Sequence, residues 1–142
     1  MPDAKIRALT ALRRLRKVET DQARRELGEF LAAAAALAAR IAAIHAEIDA
    51  ARRMTGEFDR ESFSAWLGRV HTDRLRLAQE SRDAEAHSAA SRVALAHRRV
   101  AEAAAEEALA REMTARASEL ARRDQVMLED VARVLRQAEN ER

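Results

Sequence analysis

Apolar residues recur along the first third of the chain at steps of three and four. Phe30, Ala34, Leu37, Ile41, Ile44, Ile48 and Ala51 are spaced 4-3-4-3-4-3, which is a heptad seam. Upstream, Ile6, Leu9, Leu12, Leu15 and Val18 step by three, so the stripe drifts between 18 and 30 and predicts a stutter. A second series, Phe63, Leu67, Val70, Arg74, Leu77, Ser81, Ala84, Ser88, Ser91 and Leu95, keeps heptad spacing. From Ser81 to Ser91 it offers Ser and Ala where Leu is wanted, and this reads as the weakest part of the coil. Met113, Ala117, Leu120, Asp124, Met127, Val131, Val134 and Ala138 resume it.

Between the two series lies the one clustered break signal, Arg53-Met54-Thr55-Gly56-Glu57-Phe58-Asp59. Gly56 suits the left-handed position after a helix end. Asp59 suits the N-cap of the next helix, with Phe58 and Phe63 at the spacing of a hydrophobic staple. The pattern therefore predicts an all-α fold. Helix 1 covers about 4–54, capped by Asp3, the bend falls at about 55–58, and helix 2 covers about 59–139. So short a bend makes the helices antiparallel neighbours, in a single coiled-coil hairpin over residues 1–142. Pairing about residue 57 sets Lys5 opposite roughly residue 109 and leaves about the last 30 residues without a partner inside the chain. That overhang is a candidate binding surface; a folded-back helix or a dimer would also cover it. Gly28 and Gly68 fall inside helical patterns, where each costs roughly 1 kcal/mol relative to Ala, and close approach of the two helices is the expected reason.

Composition narrows the function. The 142 residues include 35 Ala and 24 Arg but only one Pro, at position 2, and four aromatic residues. Such a chain makes long helices and is poor in the β-branched and aromatic residues of sheets. The absence of Cys removes thiol catalysis and zinc–thiolate sites and fits a reducing compartment. No charge-free run approaches 18 residues, so no membrane span is expected, and the Arg-rich start does not read as a signal peptide. His45, His71, His87 and His97 have no metal-ligand spacing and read as solvated helix residues. The carboxylates Glu106, Glu107 and Glu112 likewise read as exposed surface charge. The three Gly are too scattered for a phosphate loop. No catalytic constellation, cofactor site or metal site is expected.

Residues 1–25 carry eight basic and three acidic side chains, and residues 101–142 carry seven and ten. Antiparallel pairing brings these opposite net charges together, a modest and salt-screened preference. The cluster Arg13-Arg14-Leu15-Arg16-Lys17 reads as a solvated or protein-facing basic face. Nucleic acid is not expected as a partner, since no aromatics interleave with these charges. Trp66 lies one position off the Phe63–Leu67–Val70 seam, either as core near the bend or as an exposed interface anchor.

Three patches carry a family resemblance. The first is Ala8-Leu9-Thr10-Ala11-Leu12-Arg13-Arg14-Leu15 with Lys17-Val18-Glu19-Thr20-Asp21-Gln22-Ala23-Arg24-Arg25-Glu26-Leu27-Gly28-Glu29. The second is Phe63-Ser64-Ala65-Trp66-Leu67, just after the bend. The third is Arg122-Arg123-Asp124-Gln125-Val126-Met127-Leu128-Glu129-Asp130-Val131-Ala132. Together, in this order and spacing, they resemble the FliJ family of flagellar type III export proteins. The resemblance implies a non-enzymatic coiled-coil hairpin, similar to the central stalk of rotary ATPases. It would sit in the pore of the hexameric export ATPase FliI, promote its assembly, contact the export gate protein FlhA and escort export chaperones. Its place would be cytoplasmic, peripheral to the inner-membrane export apparatus. The family's gate-docking patch, carried over, falls on Arg40, Ile44, Glu47 and Ala51 of helix 1 and on Trp66, Val70, Asp73 and Leu77 of helix 2. Glu47 and Ala51 stand where the family has aromatic character. The ATPase-ring contact would use Met113, Leu120, Gln125, Met127, Glu129, Asp130, Val131 and Val134. An injectisome stalk of a virulence secretion system shares this architecture, and a generic self-associating coiled coil is the reading from another class.

Overall fold

The computed structural model describes residues 2–54 and 60–142, with the Pro2 side chain left aside. Two helices make up this part: α1, Pro2–Arg53, and α2, Arg60–Asn140. They pack against each other as an all-α helical hairpin, with no strand among the described residues. Pro2 opens α1, where its missing N–H costs nothing. Asp3 therefore lies in the first turn, favourable to the helix dipole, and is not the N-cap expected from the sequence. At the other end the Met54 amide donates to the Ala51 carbonyl at 3.1 Å, a 3₁₀-type closure of the last turn. The bend at 55–58, with Gly56, the Asp59 cap and the Phe58–Phe63 staple, lies outside the described residues.

The hairpin divides into two compact units: a middle unit, Thr20–Arg98, and a terminal unit of residues 1–19 with 99–142. In the middle unit the α1 seam runs through Thr20, Ala23, Leu27, Ala34, Leu37, Ile41, Ile44, Ile48 and Ala51, all buried or half-buried. Phe30, in the same phase, is barely exposed and stacks on His87, ring centroids 5.5 Å apart and 11° from parallel. The α2 seam agrees with the heptad reading from Phe63 to Leu95, except that Arg74 is exposed. Leu77 is 1% exposed. Ser88 and Ser91, in the stretch expected to be weakest, are buried. The Ser88 hydroxyl donates to the Ala84 carbonyl at 2.9 Å, so burial there leaves no unpaired polar group.

In the terminal unit three expectations are corrected. Leu15 and Val18 are exposed by 53% and 59%, and Leu12 is only at the margin of the packed side, like Phe30, so the three-step row leaves the seam and α1 needs no stutter. The packed phase instead runs through Leu9, Arg16 and Ala23, half-buried or buried and seven apart, with buried Thr20 between Arg16 and Ala23. Two polar residues on the seam hide its period from a reading of apolar positions alone. On α2 the seam passes through Glu102, Ala105, Leu109, Glu112 and Arg116, so Met113, one position late, is exposed. Lys5 Nζ meets Glu112 Oε2 at 2.7 Å and Arg116 Nη2 meets Asp3 Oδ1 at 3.6 Å. Lys5 thus sits opposite residue 112, about one turn beyond the position expected.

The two helical glycines are also corrected. A Cβ built on Gly28 or Gly68 would meet nothing within 4 Å, so neither marks a close approach of the two helices. One 18-residue window of α1 reaches a mean hydropathy of 1.7 with at most two charged residues. The helix is thus long and apolar enough to cross a membrane by length and composition alone, contrary to the charge-free criterion applied to the sequence. In this structure the apolar side of that region, Leu37, Ile41 and Ile44, is half-buried on the hairpin seam.

Candidate functional site

Three surfaces carry more than solvated charge. The first is a cleft of about 470 Å³ next to the bend, lined by Glu47, Ala50, Ala51, Met54, Ser62, Phe63 and Trp66. Trp66 is half-buried, its ring 5.8 Å from Phe63 and tilted by 33°. It is therefore neither core nor free anchor: one face packs on Phe63 while the side chain forms the cleft wall. Three of the eight residues carried over as a gate patch, Glu47, Ala51 and Trp66, meet here. Ile44 and Val70 are half-buried on the adjoining seam, and Leu77 is buried in it. Arg40 and Asp73 are exposed, and Asp73 pairs with Arg76 at 3.4 Å. Of the eight, Leu77 offers no surface to a partner, and Val70 and Ile44 offer only edges. Met54, Ala50 and Phe63 join the cleft although none of them belongs to the carried-over gate patch. Their signal is their i, i+3 and i, i+4 relation to Ala51, Glu47 and Trp66.

The second surface is a pair of clefts of about 260 and 360 Å³ in the middle unit. Both include His71 and Arg74 in their walls. The smaller adds His45 with Ile41, Ile44 and Leu77, and the larger adds Arg52, Ser64 and Gly68 with Ile48 and Leu67. No described carboxylate lines either one. All four His residues are exposed, as the sequence reading has it, yet three of them do more than meet solvent: His87 stacks on Phe30, and His45 and His71 wall these clefts. Among the described residues no group of three His, Asp or Glu gathers as a metal site.

The third surface is the end of α2. From Ala117 onward every residue is exposed except Ala132. Met127, Leu128, Val131, Val134 and Leu135 fall on one side of the helix at i, i+3, i+4 and i+7 steps and are exposed, Met127 by 66%. Leu120 continues this face, and Met113, also exposed, lies beside Glu112 and Arg116, which pair with α1. The polar residues are engaged locally. Gln125 donates to Glu129 at 3.1 Å, Arg133 pairs with Asp130 at 3.2 Å, and Arg123 pairs with Glu119. Of the expected ring contacts, Gln125, Glu129 and Asp130 are thus held within the helix, and Met127, Val131 and Val134 present apolar surface. Leu128 and Leu135 complete that surface. The heptad reading passed over them because a two-residue seam is narrower than the face a single docking helix uses.

No protein-family model, curated protein or solved structure matches this chain.

Proposed function

We propose that the chain is a non-enzymatic stalk and linker of a flagellar type III export apparatus, docking by the stretch of α2 after Arg116 in the ring of the export ATPase FliI and by the Trp66 cleft on the gate protein FlhA. The observation that carries this reading is the exposed apolar face Met127–Leu135, beyond the last residue of α2 that α1 holds. Five side chains of that kind, buried on a partner, contribute roughly 1.5–3 kcal/mol each before association costs. Polar groups already satisfied along the same helix let it dock without losing ion pairs. A two-helix section about 20 Å across suits a ring pore, and weak exposed ion pairs suit contact with several subunits in turn. Export chaperones are further partners on this reading, and the chain's place is cytoplasmic, peripheral to the inner-membrane apparatus. The Glu19–Glu29 run of the opening patch supports the flagellar member over an injectisome stalk.

The test is a pull-down of the export ATPase by the chain, with ATPase rate as the second readout. Retention of the ATPase and a raised rate are expected. A chain that forms a stable dimer through the Met127–Leu135 face and leaves the rate unchanged is a self-associating coiled coil instead.

A further inference from the structure

Gly68 poses a problem that the hairpin does not solve. A glycine in mid-helix weakens the helix, and here it gains no close contact with α1, since a Cβ at this position meets open space. The open space is the larger of the two clefts that share His71 and Arg74. Its floor is apolar, made by Ile48 and Leu67, while His71 and Arg74 stand at its rim. The smaller cleft extends the same chemistry to His45. Arg74 stands in heptad phase with the α2 seam but is exposed, and neighbouring Asp73 is paired with Arg76 instead. A missing side chain, an apolar floor and a cationic rim coincide on one flank.

We infer that this flank is a docking groove for an acidic amphipathic helix of a partner protein, with the partner backbone passing over Gly68. Glycine lets two helices approach where any Cβ would hold them apart. Apolar residues of the incoming helix cover Ile48 and Leu67. Its carboxylates meet Arg74, whose planar fork suits a carboxylate, and His71. The larger cleft shares no lining residue with the Trp66 cleft, and neither Gly68, His71 nor Arg74 belongs to the gate patch of the export reading.

The experiment uses the full chain and a synthetic helical peptide of about 20 residues, with Leu and Ala on one face and Glu along its flanks. The same peptide with Gln for Glu serves as control. Binding is read by titration calorimetry and by backbone amide shifts. The Glu peptide should bind at low salt and shift residues around Gly68, His71 and Arg74, and the Gln peptide should bind at least tenfold more weakly. Gly68→Ala should raise the melting temperature yet weaken peptide binding several-fold, and Arg74→Glu should weaken it tenfold or more. Gly28→Ala should raise the melting temperature and leave binding unchanged. This opposite movement of stability and binding at Gly68 is a signature that a merely structural glycine does not give. Absence of binding by the Glu peptide at millimolar concentration overturns the inference. So does equal binding of the two peptides, binding untouched by Gly68→Ala, or tighter binding of phosphatidylglycerol vesicles to the same residues.

Discussion

The Thr20 hydroxyl donates to the Arg98 carbonyl at 3.3 Å, from α1 to α2, and Thr20 is 0% exposed. A polar residue therefore occupies one of the most buried positions of the seam, and a bond across 78 residues of sequence satisfies it. Burial without that partner would cost more than the bond itself contributes. Thr20→Val keeps the shape and removes the donor, so it should lower stability by about 0.5–1.5 kcal/mol. Thr20→Ala should cost more, since it also leaves a void. Urea unfolding of the three chains checks the order; a Val variant as destabilised as the Ala variant would show that the hydroxyl, not the packing, dominates.

Gly28 is exposed in mid-helix with nothing near its missing Cβ. Gly28→Ala should therefore stabilise the hairpin by about 0.4–1 kcal/mol, through helix propensity and a less flexible unfolded chain. An unchanged or lowered melting temperature would contradict the open space around it.

Lys5–Glu112 is the shortest ion pair between α1 and α2 among those resolved in the terminal unit, yet Lys5 is 65% exposed. Glu112→Gln should cost less than about 1 kcal/mol at low salt, and the difference should fade toward 1 M salt, where the Debye length is about 3 Å. Melting curves at two ionic strengths measure this directly.

The fold was legible where apolar spacing and burial coincide, as from Phe30 to Ala51 and from Phe63 to Leu95. It was misread where the seam turns polar. Arg16, Thr20, Glu112 and Arg116 hold seam positions, while Leu12, Leu15 and Met113 lie beside them and drew the stripe off phase. A hydropathy count rewards the leucine and cannot see that an arginine's alkyl stem or a paired threonine fills the layer. The one-turn error in pairing has the same source, since no apolar match fixed the register near the termini. At the candidate sites, Glu47, Ala51 and Trp66 were placed together only by the family resemblance, since spacing along one helix relates Glu47 to Ala51 but not to Trp66 on the other. The emptiness beside Gly68 was not legible, because a sequence records a glycine without recording what surrounds it.

Trp66 forms a wall of the bend-proximal cleft and rests on Phe63, off the buried seam. Trp66→Ala should leave helicity nearly intact while weakening association with the export gate by about 2 kcal/mol or more, the usual cost of truncating an aromatic anchor. Circular dichroism and a gate-binding titration separate folding from docking. Undiminished gate affinity in the folded variant would take the cleft out of the proposal.

Removal of residues 117–142 should abolish stimulation of the export ATPase without destabilising the hairpin. The cut belongs after Arg116 because Glu112 and Arg116 still pair with Lys5 and Asp3 of α1, so an earlier cut at Met113 would damage the terminal unit itself. Beyond that point the described side chains bond only within α2: Glu119 to Arg123, Gln125 to Glu129, Asp130 to Arg133. A helix that gains nothing from tertiary packing contributes little to cooperative stability. The truncated chain should therefore melt at the same temperature, with the loss in ellipticity expected of 26 fewer residues. Its apolar face Met127–Leu135 is gone, and with it several kcal/mol of contact surface for a ring. A milder variant, Met127→Asp with Val131→Asp, keeps the helix length and should lose stimulation too. If the truncated chain melts lower, the end of α2 packs on its own hairpin in solution. If it stimulates the ATPase fully, ring contact lies elsewhere on the chain.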